Sequence, residues 1–423
     1  MNFLKNDATS SAIYVVSSSI IGLLLTTLSL NFLGSELYGL WILILTILIL
    51  GMFGEQGLGL PIIRLISANN PQKNQEVLST SLVPIVTLII FIFFLIFFSN
   101  GLFVDYLIDS NLKIPAPQLI LPFMGVILSL FLMSIVPTAF LTGMKKIYIA
   151  NYLKASGRFI QIITAYVLFS KDFGFWSLII SLLSYHVFVV ICSVLISLRS
   201  LNLTKPISKF FNKKLFDEIL SVGYKIVLGR IVGLGIDPFF KFTLGYFLGL
   251  NFVAYFDVAF KVTALITQVP IVALKGRIPI FNELRENNNF HLLKKEIKKI
   301  DLLISFYVIP LSVFMFLTAD FFLQIWLLDG YNQRILIALY FLVPTMSFYI
   351  FAHMRELYQI AKGDSLTTLR AYSINAFVLP LAITIIFISS FSESFLNLMF
   401  AYCFAHLCAS VFIFIVYFRN RDF

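Results

Sequence analysis

The chain has 423 residues, of which 59% are hydrophobic and only 12% charged, with a mean hydropathy of +0.94 and a net charge of +10. A soluble domain carries about 25% charged residues, so the composition excludes a protein whose main solvent is water. The basic excess on its own would suit a nucleic-acid binder, but its placement along the chain excludes that partner as well.

A helix needs about 20 apolar residues to cross the hydrocarbon of a bilayer. The apolar runs here are continuous rather than alternating, which selects helices over a barrel, because a helix in lipid satisfies its own backbone. In chain order the pattern predicts twelve spans, at 11–33, 39–63, 79–99, 118–141, 155–170, 175–198, 222–245, 253–275, 301–319, 334–354, 371–390 and 394–418. The first run is too long for the core of a signal peptide, and no small-residue cleavage site follows it. Pro84, Pro122, Pro137, Pro238, Pro270, Pro310, Pro344 and Pro380 interrupt the spans, which membrane helices tolerate where neighbouring helices take up the freed backbone groups. Cys192, Cys403 and Cys408 sit singly inside apolar runs, a spacing that yields neither a metal site nor a disulfide framework.

Cations fix the orientation. With the N-terminus inside, the loop lysines and arginines fall on the inner side, and Lys113, Lys171 and Arg334 are the three exceptions. The positive-inside rule then places both termini in the cytoplasm. The basic charge is topogenic and implies no nucleic-acid partner.

The chain also reads as two copies of one unit. Phe32-Leu33-Gly34 before Leu37-Tyr38-Gly39-Leu40-Trp41 is echoed, about half the chain later, by Phe247-Leu248-Gly249 before Phe252-Val253-Ala254-Tyr255-Phe256. Six spans per copy means both halves enter from the same side, as parallel repeats about an axis along the membrane normal. The expected fold class is therefore an all-α polytopic membrane protein. It has a six-helix lobe over 1–200, a basic amphipathic linker over 201–221 and a second six-helix lobe over 222–423.

Two segments carry an apolar stripe opposite basic residues. Leu293, Ile297 and Ile300 oppose Lys294, Lys295, Lys298 and Lys299, while Phe211, Leu215 and Ile219 line one face of the linker. Both segments are expected on the inner membrane surface, against anionic lipid. Docking of a sugar-assembly partner is the alternative.

The informative residues are ionisable groups inside spans, where a charge costs about 2.5–3.5 kcal/mol even on a lenient scale. They are Glu55 in the second span, Lys225, Arg230, Asp237 and Lys241 in the seventh, and Asp257 and Lys261 in the eighth. Asp237 with Lys241, and Asp257 with Lys261, are i, i+4 pairs with the acid first. Two such bridges leave Lys225 and Arg230 positive, a face suited to a phosphate or an acidic sugar. The alternatives are snorkelling of Lys225 and Lys241 to the interface and a purely structural ion-pair set. Glu55 stands in Gly51-Met52-Phe53-Gly54-Glu55-Gln56-Gly57-Leu58-Gly59, where glycines permit close helix contact or a local break. Its carboxylate is placed either to bind a coupling proton or cation, or to pair with a cation such as Arg64 or Arg230. His186, His353 and His406 occur singly and read as interhelical hydrogen-bonding residues. Tyr38, Trp41, Tyr106, Trp176, Tyr246, Tyr255, Trp326 and Tyr331 fall near outer boundaries, as an interface belt would.

The run from Phe32 to Trp41, followed by Glu55-Gln56-Gly57-Leu58-Gly59 and Arg64, resembles the opening of Wzx-type polysaccharide flippases. That family most often carries Asp where this chain has Glu55. The second half resembles it again, through Gly223, Asp237, Leu244-Gly245-Tyr246-Phe247-Leu248-Gly249, Tyr255-Phe256-Asp257-Val258-Ala259-Phe260-Lys261 and Pro279. The resemblance implies the multidrug/oligosaccharidyl-lipid/polysaccharide exporter superfamily and a V-shaped, MATE-like pair of lobes in a bacterial inner membrane. It implies export of an undecaprenyl-pyrophosphate-linked O-antigen repeat unit by alternating access, in lipopolysaccharide biosynthesis. It also implies a substrate path lined by cations such as Arg230 and Lys261, coupling to H+ or Na+ without a bound cofactor, and a polysaccharide polymerase and chain-length regulator as partners. No catalytic constellation or metal site is expected. The rival readings are a multidrug or metabolite exporter of the same superfamily and a membrane polymerase, whose large external loop this chain lacks.

Overall fold

A computed structural model describes residues 7–66, 71–107, 114–201, 211–275, 281, 283–284, 287, 289–361, 365–388 and 394–419. Its long elements are all helices. They run α1 (Asp7–Leu45), α2 (Ile49–Gly54), a π turn (Glu55–Gly59), α3 (Leu60–Leu65), α4 (Pro71–Leu107), α5 (Ile120–Gly143), α6 (Ile147–Phe169) and α7 (Trp176–Leu201). There follow α8 (Lys213–Leu248), α9 (Leu250–Lys275), α10 (Phe290–Leu327), α11 (Gln333–Ala361), α12 (Ser365–Ile388) and α13 (Phe395–Arg419).

Among the described residues, ten helical stretches are long and apolar enough to cross a membrane. The first, Thr9–Leu65, has 57 residues, about 85 Å of helix at 1.5 Å per residue, and hydrocarbon is only about 30 Å thick. Gly34, at φ 78°, breaks it, so it supplies two crossings. With α6, long enough but less apolar, the count reaches the twelve that the sequence predicts. The chain is a multi-pass membrane protein of all-helical fold.

The two copied motifs end on the same device. Gly34 and Gly249 both adopt positive φ, 78° and 97°, a region open to glycine at little cost, and each separates the first span of its half from the second. Ser and Thr hydroxyls inside the spans are satisfied by their own helix. Thr26, Ser81, Ser129 and Thr138 each bond the carbonyl four residues back, as lipid requires of polar groups.

The chain divides into two compact units, Met1–Leu33 with Leu43–Ile231, and Gly34–Ile42 with Val232–Phe423. In the first, α5 packs on α4, α7 and the broken helix, and α6 packs on α7. In the second, α9 runs along α11, and α13 packs against α11 and α12. Helices α4 and α10 show much of their apolar surface, with Phe97 and Leu317 80% and 77% exposed, a face suited to lipid tails.

The basic amphipathic segments differ from expectation. α10 runs unbroken from Phe290 to Leu327, so Leu293, Ile297 and Ile300 continue the axis of a span. Their stripe is buried in the protein, not laid on the membrane surface, while Lys295, Lys298 and Lys299 are exposed. Of the linker, residues 202–210 lie outside the described residues, and from Lys213 onward it is the first part of α8.

Candidate functional site

The polar site of the second unit is built by the turn at Gly249. Lys241 on α8 and Asp257 on α9 are 16 residues apart with Gly249 midway, so reversing the chain there brings both to the same height. That height is about 12 Å along the helix from the turn, well inside a hydrocarbon layer of about 30 Å. Lys241 Nζ lies 2.7 Å from Asp257 Oδ1, and Lys261 Nζ lies 2.9 Å from Oδ2. The Tyr38 hydroxyl donates to Asp257 Oδ2 at 2.9 Å and accepts from Lys261 Nζ at 2.6 Å.

Asp257 is therefore one carboxylate shared by two ammonium groups and a phenol. The cluster keeps one positive charge in excess, at a depth where a lone charge is expensive. Lys241 and Asp257 are withdrawn into the fold, whereas the Lys261 side chain is 31% exposed and is the member an anion can reach.

Two sequence expectations change here. Lys241 pairs with Asp257 across the Gly249 turn, not with Asp237 on its own helix, because the neighbouring helix meets it at hydrogen-bonding distance. Asp237 instead accepts from the Tyr402 hydroxyl at 2.7 Å. Tyr38, grouped with the interface belt, is buried and belongs to the cluster; Tyr255 is buried too, and its hydroxyl accepts from Asn332 at 3.2 Å. The Asp257–Lys261 i, i+4 pair is present. The side chains of Lys225 and Arg230 lie outside the described residues, as do Arg277 and Pro279.

The segment Gly34–Ile42 is seated in the second unit by close backbone approach. A Cβ on Gly39 would run into the Leu250 carbonyl, and Ser35 Oγ bonds Asn251 Oδ1 at 2.5 Å. Tyr38 is held over the α8–α9 hairpin by these contacts.

In the first unit Glu55 opens the π turn, a distortion often found at functional positions. Both proposed uses of the glycines occur together. The helix breaks locally at 55–59, while a Cβ on Gly51 would meet Phe131 and one on Gly57 would meet Val227 of α8 at 2.6 Å. Glu55 Oε1 pairs with Lys154 Nζ at 3.0 Å, in place of Arg64 or Arg230. One turn further on α6, Arg158 bonds Gln161 at 2.7 Å and stacks on the Tyr185 ring at 4.5 Å. Sequence reading placed Lys154 and Arg158 with the inner loop cations, because the fifth apolar run begins only at 155. An apolar recess of about 790 Å³, bounded by Phe53, Gly57, Pro84, Leu88, Tyr224 and Val227, lies beside the π turn and bears no charged side chain. Among the described residues no group of three or more His, Cys, Asp or Glu is placed to hold a metal.

A family described as "Polysaccharide biosynthesis protein" matches residues 4–285. The chain belongs to this family. Among curated proteins none matches the sequence.

Solved structures show what fold this family member adopts. It resembles the inward-facing form of a multidrug resistance MATE family transporter of the MOP superfamily, with a TM-score of 0.70 and 16% identity over 97% of this chain and 94% of that one. It resembles the inward closed form of the lipid II flippase MurJ, with a TM-score of 0.72 and 15% identity over 96% and 86%. A MOP superfamily transporter from Pyrococcus furiosus gives 0.65 and 14% over 99% and 97%. At such identities the likeness is one of fold: this chain has the MATE-like transporter fold.

Proposed function

We propose that this chain is the flippase that moves an undecaprenyl-pyrophosphate-linked oligosaccharide, an O-antigen repeat unit, from the cytoplasmic to the periplasmic leaflet by alternating access. The observation that carries the reading is the Tyr38–Lys241–Asp257–Lys261 cluster, a positive surplus held deep in a membrane protein of a polysaccharide-biosynthesis family. The exposed Lys261 ammonium is the contact for pyrophosphate or an acidic sugar. Asp257 and Tyr38 hold it in place, and Lys241 balances the carboxylate. An approaching anion competes with Asp257 for Lys261, which gives a contact that forms and releases without chemistry on the substrate. Arg230 and Lys225 extend the cationic path, with Asp237 beside them on α8.

On this reading the protein is a transporter and not an enzyme. It sits in the bacterial inner membrane with both termini cytoplasmic, it hands its cargo to a polymerase and chain-length regulator, and H+ or Na+ drives the cycle. The test is deletion of the gene, followed by complementation with wild type or Lys261→Met. Deletion and the variant are expected to strip surface polysaccharide and to accumulate the lipid-linked unit in the cytoplasmic leaflet. Intact surface polysaccharide after deletion, with no second flippase present, overturns the reading.

A further inference from the structure

The second unit holds another set of buried polar groups that the lysine cluster does not use. On α11, His353 and Glu356 share one face, and Nδ1 of the imidazole lies 2.8 Å from Glu356 Oε2. Glu356 is 1% exposed. Its sequence neighbour Arg355 is committed elsewhere, through two bonds of 2.7 and 3.0 Å to Asp301 of α10 and stacking on Phe414 and Tyr417 of α13. On α9, Asp257 and Lys261 are committed to each other. Among the described residues, His353 is the ionic partner of Glu356.

A chain of phenols and imidazoles leads away from this pair. Tyr349 stacks on His353 at 5.6 Å, is hydrogen-bonded to Tyr372 of α12, and borders His406 of α13 at 6.4 Å. His406 lies against Tyr402 at 4.5 Å, and Tyr402 donates to Asp237 of α8. Six buried side-chain atoms on α11–α13 have no hydrogen-bond partner among the described residues: His353 Nε2, Arg355 Nε, Gln359 Nε2, Thr368 Oγ1, Asn375 Oδ1 and His406 Nε2. In a membrane protein such groups are costly, and runs of Asp, Glu, His and Tyr are where protons find donors and acceptors.

We propose that His353 and Glu356 form a proton-binding site, and that Tyr349, His406 and Tyr402 relay the proton between it and Asp237 through the second unit. Binding forms an N–H bond at His353 Nε2 as hydronium gives up a proton and leaves as water. The resulting imidazolium donates Nδ1–H to Glu356, so the buried pair becomes neutral overall. Release is the reverse, with no electron transferred. The binding step is independent of the flippase reading; only its use in driving transport rests on it.

The test is proton uptake by the purified full chain in nanodiscs, followed with an indicator dye from about pH 8 to about pH 5.5, where imidazoles titrate. His353→Gln is expected to take up about one proton fewer than wild type across that window. Glu356→Gln is expected to shift uptake to more acid pH, because the carboxylate that favours imidazolium is gone. Either variant suffices if the other does not fold, and uptake identical to wild type in a folded variant overturns the site. Lys261→Met separates the two readings, since it is expected to stop glycan movement and leave proton uptake intact. Tyr402→Phe tests the relay: it is expected to keep the equilibrium uptake and slow proton entry into proteoliposomes, and an unchanged entry rate overturns the relay.

Discussion

The Tyr38 hydroxyl and Asp257 Oδ2 meet at 2.9 Å across 219 positions of sequence. The same hydroxyl accepts from Lys261, so one phenol ties the segment after the first glycine break to the α8–α9 hairpin. Tyr38→Phe removes both bonds without opening a cavity. Hydrogen bonds to charged groups contribute about 1.5–3 kcal/mol, so the purified variant is expected to unfold at a lower temperature and to export less polysaccharide than wild type.

Asp257→Asn is expected to be more damaging, because it leaves Lys241 and Lys261 facing each other in a dry site. Removing one partner of a buried ion pair costs about 3–5 kcal/mol. Adding Lys241→Met to Asp257→Asn removes one of the stranded charges, so the double variant is expected to lose less stability than the two single losses added together. Thermal unfolding of the four proteins in one detergent measures the coupling.

The spans were legible in the sequence because twenty-residue apolar runs need no tertiary information. The glycine breaks were legible because the Phe-Leu-Gly motif occurs twice. The partners of the charges were less so. Helical spacing correctly paired Asp257 with Lys261, but the stronger competitor for Lys241 came from the next helix. Symmetry about Gly249 was the available signal for it. Tyr38 was hidden because a tyrosine near a span end looks the same whether it faces headgroups or a carboxylate. Glu356 and His353 were hidden because a span ends among them, and charges at span ends are ordinary.

Gly39→Ala is expected to abolish folding or expression, since its Cβ would strike the Leu250 backbone carbonyl, which no rotamer change can relieve. Gly22→Ala is the control. It lies in the same helix with nothing within 4 Å of the new Cβ, and it is expected to be neutral or to stabilise by about 0.5–1 kcal/mol. Yield of monodisperse protein after purification distinguishes the two.

The Glu55–Lys154 pair is half exposed on the Glu55 side, so its loss is expected to change stability by less than about 1 kcal/mol. Its expected effect is on export, through the two cations that Glu55→Lys or Lys154→Glu would unbalance beside the π turn. The exchange Glu55→Lys/Lys154→Glu keeps the pair and is expected to recover most of the surface polysaccharide lost by either single change. Recovery is measured by staining the cell surface for glycan.

The central claim is that this chain moves a lipid-linked glycan across a bilayer with Lys261 as its contact. It is tested most directly by placing the purified protein in proteoliposomes loaded with lipid-linked oligosaccharide and following the glycan's accessibility to a membrane-impermeant lectin. Wild type is expected to equilibrate the glycan between leaflets, and Lys261→Met is expected to leave it where it was loaded. Equal movement by wild type and Lys261→Met, or no movement above empty liposomes by the folded wild-type protein, contradicts the account.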